Sequence, residues 1–101
     1  MIFRRDRFGD LVRRQLDLFV EDEAALLREA EEAERTYDTA ERGLAEEAYG
    51  DYQLVLEAIA DALAELRDTY GATLDGDTRE AYEHAFDRAA NRRFRSLTGG
   101  L

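Results

Sequence analysis

The sequence predicts an all-α protein, a small helical bundle built on an antiparallel helical hairpin. Apolar side chains recur at helical steps of three and four along most of the 101 residues, and no stretch alternates in the manner of a β-strand. Proline is absent. The composition, with 45% hydrophobic and 38% charged residues and abundant Ala, Leu, Glu and Arg, is typical of long helices.

The first predicted element is a short amphipathic helix that begins after Gly9, with Asp10 as its N-cap. Three carboxylates follow it at residues 21–23. They suit either the first turn of a new helix, where they meet the positive end of the helix dipole, or a bend in one long helix. The apolar arc of the first helix consists of Phe8, Leu11, Val12, Leu16, Leu18 and Phe19.

Two long helices are expected to form the hairpin. Apolar side chains recur through residues 26–44, and those of residues 52–70 keep the four–three rhythm of a packing seam. Gly43 and Gly50 compete for the turn between the two helices, because a glycine costs a helix interior roughly 1 kcal/mol relative to alanine. We place the turn at residues 49–51, which read Tyr-Gly-Asp.

A shorter helix is expected to complete the bundle. Gly71 ends the second long helix, in the position that favours a C-terminal glycine. Asp77, followed three residues later by Glu80, predicts a capping box at the start of the last helix. Residues 1–96 are therefore expected to form a single helical domain, and residues 97–101 a flexible tail.

Charge is unevenly distributed along the chain. The net charge is −10, and all 14 basic residues are arginine. Residues 21–50 hold eleven acids against three arginines, whereas residues 88–101 hold four arginines and no acid. Such an acidic chain argues against binding to nucleic acid or to an anionic membrane surface. Contact with either one through the arginine-rich termini is kept as an alternative function.

The side chains that catalysis requires are scarce. The chain has one histidine, His84, one serine and no cysteine, and it carries no nucleophile, phosphate-loop or metal motif. We therefore expect no enzymatic activity and no cofactor. The tyrosines at positions 37, 52, 70 and 82 occupy seam positions and are expected to bury their rings. With no apolar run of about 18 residues, the cytoplasm is the expected location.

The sequence REAYEHAFD places a carboxylate–imidazole–carboxylate row on the last helix. Glu80, His84 and Asp87 are spaced four and then three residues apart, and such a row can hold a divalent ion. It resembles the helices of ferritin-like proteins in residue type, but those helices aim their ligands into the bundle core. Here Tyr82 and Phe86 take the buried side. A metal site formed between subunits is the second alternative function.

The leading hypothesis is a non-enzymatic helical interaction module, a small homo-oligomeric adaptor, assembly factor or regulatory protein. Long helices with narrow apolar seams leave a small core for a chain of this size. A second copy, most simply in a two-fold dimer, would cover what remains exposed, and an unidentified protein is the other candidate partner. The predicted contact residues are Phe8, Leu11, Val12, Leu16 and Phe19.

Overall fold

The computed structural model describes residues 7–98, in which helices are joined by short connections and no strand occurs. This confirms the predicted all-α class. No helix in this range is both long enough and apolar enough to cross a bilayer. In chain order the elements are α1 (Gly9–Asp22), α2 (Ala24–Asp38), a 3-10 turn (Arg42–Leu44), α3 (Ala45–Gly71), α4 (Gly76–Arg93) and α5 (Arg95–Thr98).

Helices α2 and α3 form the predicted antiparallel hairpin. The end of α2 meets the start of α3, where the ring centroid of Tyr37 lies 5.2 Å from that of Tyr49 and 6.4 Å from that of Tyr52. Helix α2 has 15 residues, whereas α3 has 27 and is therefore about 40 Å long. The second half of α3 extends past α2 and packs against α4, which has 18 residues.

One hydrophobic core forms where α1, the first half of α2, the second half of α3 and α4 meet, and we call this part of the molecule the head. Edge-on aromatic contacts join its helices, since Phe8 lies 5.5 Å from Tyr82 and Phe19 lies 5.8 Å from Phe94, measured between ring centroids. Burial of these side chains supplies the main favourable free energy of folding. The largest fully buried side chains are those of Tyr82, Phe86, Leu16, Ile59 and Val12.

The hairpin extends beyond the head. Among the described residues, no side chain from residues 31–54 belongs to the core or packs against it. We call this segment, which comprises the second half of α2, the turn and the start of α3, the hairpin end. The molecule is accordingly elongated, with extents of 57, 29 and 22 Å along its principal axes. The fold is a packed head with a two-helix projection.

The hairpin turn lies earlier in the chain than predicted. The prediction at residues 49–51 is wrong, because Gly50 is inside α3 and the chain reverses through residues 39–44, which include Gly43. Continuing the helix through Gly50 brings two tyrosines of α3 against Tyr37 of α2. These contacts outweigh the glycine penalty of roughly 1 kcal/mol.

Two predicted helix starts are also wrong. Phe8 precedes α1, and Asp10 lies in its first turn, where it accepts a hydrogen bond from Arg13 over 2.6 Å. The N-cap residue of α4 is Asp75, without a side-chain capping bond, and Asp77 lies in the first turn, so that no capping box forms. Both misplaced aspartates still lie near the positive end of a helix dipole, which explains their place in the pattern.

The junction between α1 and α2 consists of Glu23 alone, with φ −107° and ψ 28°. Its backbone nitrogen donates to the carbonyl of Phe19 over 2.8 Å, so the chain bends here with little interruption of its helical bonding. At the other end, Leu97 is in α5 and packs against the core, although it belongs to the predicted flexible tail. Residues 1–6 and 99–101 lie outside the described residues.

Candidate interaction surface

The predicted contact stripe of α1 lies largely within the core of the same chain. Val12, Leu16 and Phe19 are buried among side chains of α3 and α4. Phe8 and Leu11 are half-buried at the edge of this core. Helical periodicity shows that a stripe is buried but not which chain buries it. The sequence therefore could not distinguish packing within one chain from packing against a partner. In the folded chain, only Phe8 and Leu11 retain edges that a partner can reach.

The carboxylate–histidine row lies on the solvent side of α4, as the helical spacing predicted. Glu80 and His84 are exposed. Asp87 accepts a hydrogen bond from Nη1 of Arg67 over 3.0 Å and so joins α4 to α3. In the part of the chain that the structure describes, no three His, Cys, Asp or Glu side chains converge as a metal site requires.

Arg67 is the centre of a small ion-pair network beside this row. Its Nε donates to Asp68 over 2.8 Å while Nη1 binds Asp87. The hydrogen bond from Arg67 holds the pKa of Asp68 below its ordinary value. Because both carboxylates are half-exposed, the network contributes modestly to stability, and it leaves Asp87 engaged within its own chain.

Large apolar side chains that reach solvent are concentrated at the hairpin end. A monomer exposes single apolar residues routinely, whereas a concentration of them marks a contact surface. Five large hydrophobic residues are exposed in the described chain, and Leu18 is the one outside residues 31–54. The other four, with their exposed fractions, are Tyr37 (37%), Leu44 (58%), Tyr49 (46%) and Leu54 (64%).

Three tyrosines form a cluster on one side of the hairpin end. Tyr49 and Tyr52 are three residues apart on α3 and therefore lie side by side, facing Tyr37 of α2. The side-chain nitrogen of Gln53 donates to the hydroxyl of Tyr49 over 2.7 Å, which fixes that ring further. We call the three tyrosines and the neighbouring carboxylates the tyrosine surface: Glu34, Tyr37, Asp38, Tyr49 and Tyr52.

Carboxylates give the tyrosine surface a negative charge. Partial burial, followed by the charges of Glu34 and Asp38 and a hydrogen bond to Glu34, raises the pKa of Tyr52. Residues 31–54 hold eight acids against two arginines, and hence six of the ten net negative charges. Aromatic faces next to carboxylates are the chemistry that binds a guanidinium or ammonium group.

The head carries a second surface of opposite character, a groove of about 450 Å³ between α1 and α4. At its base are Val12, Leu16 and Ala85, which are almost fully buried, and the half-buried Ala89, while arginines form its rim. Two of the arginines are paired, Arg13 with Asp10 over 2.6 Å and Arg93 with Asp17 over 2.7 Å. We call the lining residues the arginine groove: Gly9, Asp10, Val12, Arg13, Leu16, Ala85, Ala89, Arg92 and Arg93.

The four–three spacing predicts buried rings for all the seam tyrosines, but in the structure some of these rings are buried and others are exposed. Tyr82 is fully buried in the head, 4.8 Å from the ring of Tyr70, whereas Tyr37 is exposed because no third helix covers the hairpin end. The sequence did contain one signal for this surface, the excess of acids around Tyr37. Its meaning depended on the place of the turn, which was predicted wrongly.

The chain matches no protein-family model, no curated protein and no solved structure. Its fold and surfaces define a class instead: a small all-α protein with a packed head and an acidic helical hairpin that projects from it.

Proposed function

We propose that the protein is a non-enzymatic helical interaction module, an adaptor or assembly factor that holds a basic protein segment on its hairpin end. One observation carries this proposal: residues 31–54 add no side chain to the core of the head and bury only Ala48, yet they expose tyrosine and leucine side chains among carboxylates. Ordering a residue costs about 1–2 kcal/mol of backbone entropy. A segment that is ordered with so little burial in return is better explained by binding than by folding.

The chemistry of the tyrosine surface favours arginine as the residue it binds. A guanidinium group stacks on tyrosine rings and also forms paired hydrogen bonds with carboxylates. The exposed rings of Tyr37 and Tyr49 and the carboxylates of Glu34 and Asp38 supply both kinds of contact within one surface. Phosphate-bearing ligands would be repelled at this end of the molecule.

Two other functions have weaker support. An interface metal site would have to be built from Glu80, His84 and Asp87, and the last of these is already bonded to Arg67. Nucleic-acid or membrane contact would use the arginine-rich termini, where, among the described residues, Arg13 already pairs with Asp10 and Arg93 with Asp17. The net charge of −10 opposes both polyanions. A cytoplasmic location is part of the same proposal.

Binding of a synthetic arginine-rich helical peptide, followed by fluorescence anisotropy, tests the proposed function. We expect saturable binding that weakens as ionic strength rises, because the contact is charged and exposed. Replacing one ring and one charge of the tyrosine surface, with Tyr49→Ser and Asp38→Asn, should weaken binding about tenfold, which corresponds to about 1.4 kcal/mol.

The matched control neutralises a carboxylate on the other side of α2. Glu32 lies two residues before Glu34 and therefore about 200° around the helix from it. Glu32→Gln removes a charge from the same helix and should change binding by less than about threefold, since exposed charges act weakly at a distance. Absence of peptide binding at low salt, or equal losses in the double variant and the control, would contradict the proposal.

A further inference from the structure

The tyrosine surface and the arginine groove complement each other in charge and in chemistry. One offers exposed rings with the carboxylates of Glu34 and Asp38. The other has arginines at its rim, and of these Arg92 has no carboxylate partner in the described part of the chain. Residues 88–98 hold four arginines and no acid. Each surface thus presents the groups that the other one binds.

One chain cannot bring its own two surfaces together. Helix α3 runs without a break from the hairpin end, at Ala45, into the head, at Gly71. Asn91, next to Arg92 in α4, shares a pocket with Ala60 of α3, and a continuous helix holds Ala60 eleven residues, or about 16 Å, away from Tyr49. The hairpin end therefore projects away from the head and can be covered by another molecule but not by its own arginine groove.

We propose that the hairpin end docks into the arginine groove of a second copy of this chain, in an antiparallel two-fold dimer. This inference rests on the proposed function and names the basic segment that the hairpin end holds. Tyr37 and Tyr49 receive guanidinium groups on their faces, while Asp38 and Glu34 pair with the arginine rim, Arg92 foremost. Covering the two exposed rings also removes apolar surface from water, which adds to the charge contacts.

The size of the contact favours the two-fold arrangement over a single contact. About 15 Å of paired helices, each about 10 Å wide, presents a flat face of about 300 Å². A stable interface buries about 800 Å² of accessible surface on each partner. A two-fold dimer uses the contact twice, once through each hairpin end, and so covers about 600 Å² per chain or about 1,200 Å² in total, which reaches the lower end of the range for stable interfaces, whereas a single contact does not.

Charge reversal with complementation tests the contact. Asp38→Arg changes the last residue of α2, where a positive charge suits the helix dipole, so the fold should be retained. Arg92→Glu changes the facing rim. By sedimentation velocity at low salt, wild-type protein should form a reversible dimer that weakens as salt is added, and each variant should weaken dimerisation by about tenfold or more.

An equal mixture of the two variants should recover dimerisation to within about threefold of wild type, because every mixed dimer brings opposite charges together at both contacts. Glu32→Arg on the far side of α2 and Arg14→Glu outside the arginine groove are the matched controls, and each should stay within about threefold of wild type. Circular dichroism and thermal melting of each variant show whether its fold is intact.

A wild-type chain that stays monomeric at every concentration, or a mixture no stronger than its components, would overturn the proposal. Species larger than the dimer would overturn the two-fold arrangement. These outcomes are separate from failure of the proposed function. A monomeric chain that still binds the arginine-rich peptide through Tyr49 and Asp38 keeps the interaction function and loses only the second copy as its partner.

Discussion

The hydroxyl of Tyr82 donates a hydrogen bond to the side-chain oxygen of Gln15 over a distance of 2.8 Å. The bond joins α4 to α1 in the head, across 67 positions of sequence. The ring of Tyr82 is fully buried and contacts Phe8, Tyr70 and Phe86. Because a buried hydroxyl without a partner is costly, this bond allows a tyrosine to occupy the centre of an otherwise apolar core.

Replacing Tyr82 with phenylalanine keeps the ring and removes only the hydroxyl. We expect Tyr82→Phe to lower the free energy of unfolding by about 1 kcal/mol, because the hydrogen bond is lost while half-buried Gln15 can still reach water. Tyr82→Ala should cost about 3–5 kcal/mol, since it empties the core position. Urea unfolding measures both values, and an unchanged midpoint in Tyr82→Phe would contradict the bond.

Alkaline pH should weaken the fold through the same residue. Burial raises the pKa of Tyr82 above its ordinary value of 10.0. The unfolded chain releases the proton near the ordinary value, so the stability that Tyr82 contributes is fully present below pH 10.0 and is lost as the pH rises through the raised value. Above pH 10.0, the urea midpoint should therefore fall more steeply in wild type than in Tyr82→Phe.

A single substitution tests where the hairpin turn lies. Gly50 is an exposed residue within α3, and no atom lies within 4 Å of an added Cβ there. We expect Gly50→Ala to raise the free energy of unfolding by about 0.5–1 kcal/mol, because alanine loses less backbone entropy in a helix. Thermal melting measures the gain. A loss of stability would instead support a turn at residues 49–51.

Gly71→Ala is the comparison for this prediction. An added Cβ at Gly71 would lie 3.2 Å from a side-chain oxygen of Glu83 and 3.4 Å from Nε of Arg79. Those two groups form an ion pair 2.9 Å long, which would have to shift. The gain from Gly71→Ala should therefore be smaller than that from Gly50→Ala, although both substitutions remove a helix glycine.

The fold class could be predicted from sequence because helical periodicity is a local property of the chain. The buried side of α4, with Tyr82 and Phe86, and its wet side, with His84, followed from the same spacing. The position of the turn could not be predicted. The free-energy cost of Gly50 within a helix is small, and it is offset by contact with Tyr37, which is distant in sequence.

The candidate surfaces were harder to predict because they depend on which helix covers which. The stripe of α1 reads the same whether Leu16 packs on its own chain or on another, and α4 turns out to cover it. Tyr37 is exposed because no helix covers it. Helix α3 extends beyond α1 and α4, so the hairpin end consists of two helices only. The lengths of the helices decide whether the α1 stripe is covered and whether Tyr37 is exposed. Those lengths depend on where the turns lie, and sequence patterns locate turns poorly.

Cross-linking between two copies tests the docking of the hairpin end in the arginine groove most directly. The chain has no cysteine, so any disulfide that forms must involve the introduced thiols. Gln53→Cys places a thiol beside Tyr49 of the tyrosine surface. Ala81→Cys places one at an exposed position of α4, one turn before Ala85 of the arginine groove. The exposed Ala72→Cys, just beyond the end of α3, is the control partner.

An equal mixture of the Gln53→Cys and Ala81→Cys variants, oxidised mildly at low salt, should yield the mixed disulfide in clear excess over both symmetric disulfides. The excess should vanish at high salt, because screening weakens the docking, and the control partner should give none. A random distribution of the three products, or a dominant symmetric disulfide between two copies of position 53, would contradict the account.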